Sequence, residues 1–184
     1  MLKKFNLLIL TGFFLGLLTN CGFHFAGKYK LPAYLNQLVI YPLDDIKSDF
    51  YLQLKSILEN NEVKVLSLNA IQDLKLKQDV SVLHVAIPVI KEKVHSYNSQ
   101  GQITNNMLTA SCNYQLFDHA NDLLQKNVIS RSRNYAINNN QLLSNLGERQ
   151  KIVQELQLEI INELLRQLSV DVRVHKNAKN SRNF

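Results

Sequence analysis

Glycine and proline are scarce, six and three among 184 residues. That argues against long structureless linkers. The signatures of common catalytic and cofactor sites are missing as well. There is no CxxC, no P-loop, no GxGxxG and no GxSxG elbow. The five histidines, His24, His84, His95, His119 and His175, never stand i, i+4 around a glutamate, so a zincin-type site is excluded. His95 beside Lys91 and Lys93 reads as a solvated strand end, and Cys112 as a buried structural thiol. No enzyme and no cofactor are implied. The N-terminal apolar run, Leu7 to Leu18, is 12 residues long, short of the roughly 20 that a spanning helix needs.

Surplus charge is lacking too, once it is located. The formal net charge is +6, from 21 basic and 15 acidic residues. Lys3 and Lys4 precede the apolar run, and Arg173, Lys176, Lys179 and Arg182 lie at the other end. Without these the basic and acidic counts are equal, so the body is neutral and no nucleic-acid groove is indicated.

What is present begins with "LLTNCGFHF". Two lysines, an apolar run and a small-residue zone follow one another in secretory-signal order. A buried N-terminal core helix is the alternative. Leu18-Thr19-Asn20-Cys21 resembles a lipobox, in which the cysteine is acylated and becomes the new N-terminus. The alternative for Cys21 is a plain small hydrophobe in a signal cut elsewhere. Buried methylenes contribute about 0.8 kcal/mol each, so several acyl chains would hold the protein on a membrane without a spanning helix. With Cys21 acylated, Cys112 is left without an intrachain disulfide partner. Gly22 stands where an aspartate would favour inner-membrane retention, which points to the outer membrane.

Residues 1–20 therefore read as a signal peptide and 21–36 as a lipidated leader. The body, 37–168, forms one domain, and 169–184 a basic, disordered tail. In the body, Gln37 to Tyr41 is a short strand. Ser48 offers an N-cap to a helix with Phe50, Leu54, Ile57 and Leu58 on one face. Val63 to Leu68 alternates like a strand, and 69–79 is ambiguous. Val80 to Tyr97 is a long strand with Leu83, Val85, Ile87 and Val89 on one face, and with an edge or bulge at Pro88. Asn98 to Gly101 makes a turn, Gln102 to Phe117 a second long strand, Asp118 to Asp122 a turn and Leu123 to Ile137 a third strand. Asn145 and Glu148 suggest a capping box for a last helix carrying Val153, Leu156, Ile160, Leu164 and Leu168. The expected fold is α+β, a two-layer sandwich. Two helices pack on one face of a mixed, mostly antiparallel sheet with long hairpin strands.

Cys21-Gly22-Phe23-His24-Phe25 after a lipobox, the glycine-tipped hairpin, the segment Arg131-Ser132-Arg133-Asn134-Tyr135 and the "LL…E" entry to the last helix resemble, in that order, the LPS-assembly lipoprotein LptE family. The resemblance implies an outer-membrane lipoprotein on the periplasmic face. It implies a 1:1 complex in which the protein plugs an LptD-type β-barrel and takes part in lipopolysaccharide transport. In the family, basic loop residues contact lipopolysaccharide. Here the tip "SYNSQGQ" has no arginine and the loop "NNNQLLSN" no lysine. The candidate barrel or lipopolysaccharide contacts are therefore Lys91, Lys93, Asn98, Gly101, Arg131, Arg133 and Tyr135, with Cys21 as the membrane anchor. Solvated strand residues are the plain alternative for the four cations. A different function class also remains: an outer-membrane lipoprotein that binds a periplasmic ligand or envelope polymer without a barrel.

Overall fold

The structure is a computed structural model that describes residues 29–42, 47–67, 80–138 and 140–170. The signal segment, Cys21, the ambiguous stretch 69–79 and the end of the tail lie outside the described residues. Strand β1 (Gln37–Pro42) leads to helix α1 (Asp49–Asn60) and a short β2 (Lys64–Leu66). Then come β3 (Ser81–Val85), β4 (Val89–Tyr97), β5 (Ile103–Phe117), β6 (Leu123–Ala136) and helix α2 (Leu142–Leu168). The sheet is mixed. β1 pairs in parallel with β2 and β3, while β5 pairs antiparallel with β3, β4 and β6. The α+β arrangement expected from the sequence is the one observed, with both helices contributing to a single core.

Strict alternation on β5 builds that core. Leu108, Ala110, Cys112, Tyr114 and Leu116 are all buried beneath the helices, as the period of two requires for one inward face. On α2 the buried stripe runs Ile152, Leu156, Ile160, Leu164, Leu168, with Ile161 and Leu165 beside it. Ile152 takes the innermost place at the head of the stripe, and Val153 is only half-buried. On α1, Tyr51 joins Phe50, Leu54 and Leu58 in the core, and its hydroxyl donates to the Val85 carbonyl at 2.5 Å.

Three local expectations change. The stretch from Val80 to Tyr97 is two strands. Val85 pairs with Tyr114 and Val89 with Ser111, so one extra residue is accommodated around Pro88. Such a bulge reverses the facing of everything after it. Val89 is accordingly 58% exposed on the opposite face from Leu83 and Val85. Secondly, α2 starts at Leu142, three residues ahead of the expected cap. Asn145 does not cap it but clasps the preceding loop, accepting from Asn138 N at 3.0 Å and donating to Asn138 O at 2.8 Å. Thirdly, Ser48 occupies the N-cap position of α1 in extended conformation but makes no side-chain capping bond.

The segment ahead of β1 is also part of the fold. Leu35, in a short 3-10 turn (Ala33–Leu35), is buried, and Tyr29 N donates to the side chain of Asn61 at the end of α1 at 2.8 Å.

Candidate interaction site on the protruding sheet

β1 makes its last pairing at Pro42, opposite Val85. Proline has no N–H to continue a ladder. Beyond this point β4, the middle of β5 and the end of β6 run on as a three-stranded blade. Among the described residues, the outer edge of β4 has no strand beside it.

The blade ends in a turn built by Asn98 and Gly101. The Asn98 side-chain oxygen accepts from Gln100 N at 3.0 Å and Gln102 N at 2.8 Å, and Gly101 N donates to Asn98 O at 3.0 Å. Gly101 has φ +75°, in the left-handed region that glycine enters without strain. The β5–β6 turn repeats the pattern. Asp118 accepts from Ala120 N and Asp122 N, and Asn121 takes φ +65°. Asparagine is the next most tolerant residue there.

Register sorts the remaining candidates onto two faces. Glu92 lies opposite Leu108, which lies opposite Arg133; Ala110 lies opposite Arg131 and Asn106 opposite Tyr135. Leu108 and Ala110 face the helices, so Arg131, Arg133 and Tyr135 do as well. Lys91 pairs with Thr109 and Lys93 with Met107, which puts both lysines on the face turned away from the helices. The seven residues thus form three groups: a tip, two cations on the open face, and three side chains beneath α2.

The three beneath α2 are engaged. Arg131 donates to Glu163 at 2.7 Å, and Arg133 bridges Glu155 and Glu159. The Tyr135 hydroxyl donates to Glu92 at 2.5 Å, and Glu92 also accepts from Asn106 at 2.7 Å and from Arg149 at 2.8 Å. Glu163 collects Arg166 and, at 2.8 Å, Gln167, whose own oxygen accepts from Tyr114 at 2.6 Å and Asn127 at 3.0 Å. These polar contacts fasten α2 to the sheet from Arg149 to Gln167. The Arg166 hydrogen bond holds the Glu163 carboxyl at about 2, against the opposing effect of burial and with further help from Gln167 and Arg131. Burial raises the Glu92 carboxyl, but hydrogen bonds from Tyr135, Arg149 and Asn106 outweigh it and leave it below its ordinary value. Burial, then the Glu163 charge, pushes the Tyr114 hydroxyl up to about 12.

Lys91 and Lys93 are exposed and have no carboxylate partner among the described residues. The carboxylates that hold the arginines were not singled out by sequence reasoning. Their signal is a four-residue repeat, Glu155, Glu159 and Glu163, which puts one edge of a helix opposite arginines spaced by two on a strand.

The described residues form a two-layer α+β domain whose charged side chains clamp a helix to an overhanging sheet. Among the described residues it has no cluster of metal-ligating side chains and no helix long and apolar enough to cross a membrane. Solved structures with this fold include rare lipoprotein B from Shewanella oneidensis, with TM-score 0.63 and 17% identity over 78% of this chain and 98% of that one. An uncharacterized lipoprotein B from Nitrosomonas europaea gives 0.59 and 16%, over 77% and 90%. A minor lipoprotein from Acinetobacter baumannii gives 0.58 and 17%, over 75% and 93%. No curated protein sequence matches. The chain belongs to the LptE family: the family model described as lipopolysaccharide-assembly matches residues 35–168. That span contains every described element of the sheet and both helices.

Proposed function

We propose that this chain is an outer-membrane lipoprotein, anchored by acyl chains on Cys21 at the periplasmic face. It plugs an LptD-type β-barrel in a 1:1 complex and takes part in the passage of lipopolysaccharide to the outer leaflet. Family membership over residues 35–168 supports the lipopolysaccharide-assembly role. The observation that carries the plug reading is the blade, three strands that overhang the last residue of β1 and end in a polar turn. A sheet with unpaired edges needs a partner or stays exposed, and the wall of an outer-membrane barrel lumen is itself polar. The role is binding and assembly, with no chemical step.

Lys91 and Lys93 are the cations free to meet lipopolysaccharide phosphates, whereas Arg131 and Arg133 are occupied by carboxylates. Lipopolysaccharide binding by the domain without its lipid anchor separates these roles. Lys91→Glu with Lys93→Glu should weaken binding at least tenfold at low salt, with the effect shrinking as salt rises. Equal binding by the double variant and the parent would remove the lysines from the lipid contact. The barrel partnership is tested by detergent extraction of the anchored protein, which should bring a barrel with it.

A further inference from the structure

Burial divides α2 at Ile152. From there on, Ile152, Leu156, Ile160, Leu164 and Leu168 recur at the core-facing positions and are all buried. None of the ten residues ahead of Ile152 is buried. Three of them are leucines, yet Leu142, Leu143 and Leu146 are 71%, 83% and 53% exposed. A leucine that stays in water does little to dock its helix. A helical stretch of this length is marginal without such docking. Gly147 weakens it further, because glycine in a helix interior has the most backbone freedom to lose. We infer that the head of α2, residues 142–151, is a latched arm, which opens from the blade on its own while the helix from Ile152 to Leu168 stays packed.

What holds the head in place is polar. Among the described residues, its side chains form hydrogen bonds at two places. Asn145 clasps the backbone of Asn138, accepting at 3.0 Å and donating at 2.8 Å. Asn138 belongs to the loop that enters the helix, so this clasp ties the head to its own approach and not to the sheet. Arg149 is the residue that reaches the blade, donating from Nε to Glu92 at 2.8 Å. Glu92 is held ready by Asn106 and Tyr135, which both donate to its other oxygen. The Arg149 and Glu92 side chains are 41% and 29% exposed. Water can therefore replace their bond at small cost, which makes it a latch and not a weld. Past Ile152 the case differs. There the bonds of Glu155, Glu159 and Glu163 add to a helix that its apolar stripe already holds. The moving part is bounded at both ends. Ile137 N still donates to Thr104 O at 2.8 Å, and Ile152 is buried. Opening lengthens the connection from β6 to α2, releases the Glu92 carboxylate from Arg149 and sets three leucines free beside the blade without unfolding the core.

The test is amide hydrogen exchange of the full-length lipoprotein in mild detergent, read by mass spectrometry of peptides from the two parts of α2. Exchange in residues 146–151 should be faster than in residues 156–165 by about a hundredfold or more, yet slower than in an unfolded chain. One shared rate along the helix overturns the arm. A head that exchanges like an unfolded chain overturns the latch, since nothing is then held. Two variants probe the mechanism from opposite sides. Glu92→Gln removes the charge that holds Arg149 and should speed exchange of the head several-fold, with residues 156–165 unchanged. Equal acceleration of both parts, or none, contradicts the assignment of Glu92 as the latch. Gly147→Ala places a methyl group where nothing lies within 4 Å. It should slow exchange of the head about fivefold, the factor that corresponds to the helix propensity of alanine over glycine. An unchanged rate in this variant would mean that unwinding of the head is not the motion, and overturns the proposal even if Glu92→Gln proves too unstable to read.

Discussion

Arg133 illustrates what pattern alone can and cannot reveal about one residue. In the sequence it is a cation on a strand, equally able to meet a phosphate or to stand in water. In the fold it lies under α2 between Glu155 and Glu159. All three side chains remain partly exposed, so Arg133→Ala should destabilise by only about 1 kcal/mol in urea titration. Arg131→Glu is harsher, because it faces Glu163, whose side chain is 11% exposed. A loss of about 2–3 kcal/mol is expected. Retention of parent stability by Arg131→Glu would mean that this ion pair does not hold the helix. Glu163 also sets a pH dependence. Its folded-state value of about 2 lies below the ordinary 4.5. The unfolded chain therefore takes up its proton first as pH falls. The stabilisation is present in full above pH 4.5 and is lost as pH drops toward 2. Glu163→Gln should flatten that part of the stability profile, and an unchanged slope would contradict the assignment.

At the scale of elements, the boundaries that were legible are those written in local chemistry. The turns at Asn98–Gly101 and Asp118–Asp122 follow from residues that tolerate φ > 0 and side chains that accept backbone N–H groups. The face of β5 and the stripe of α2 follow from periodicity. What could not be read is the effect of one inserted residue. Pro88 marks a bulge, but only pairing with β5 shows that Val89 emerges on the other face. Likewise Asn145 fits a cap by spacing, yet its amide ties back to Asn138 because the incoming loop, not the first turn, supplies the nearest backbone groups. The site divides in the same way: the candidates are legible as residue types, but only register tells Lys91 and Lys93 from Arg131 and Arg133. Two variants check the elements. Gly101→Val has open space around its new side chain but a φ of +75°, so about 1–2 kcal/mol of strain is expected at the tip. Amide exchange should rise at the turn and stay unchanged in β5 beneath α2. Leu164→Asp places a charge at a fully buried position and should cost several kcal/mol, enough to lose cooperative thermal unfolding.

The described residues combine one core and a blade that overhangs it. Each part limits what the others can do. Both helices are needed to bury one face of the sheet, and the far end of the hairpin extends beyond that core. Family membership names the process, lipopolysaccharide assembly, and the overhang makes a partner the simplest completion of the fold. The most direct measurement is the stoichiometry of the complex. The full-length lipoprotein, affinity-purified in mild detergent from cell envelopes, is analysed by quantitative mass spectrometry against labelled standards. A single outer-membrane barrel at a ratio close to one per chain is the expected result, preserved in Lys91→Glu/Lys93→Glu. A lipoprotein recovered folded and acylated, yet free of any barrel, would contradict the plug.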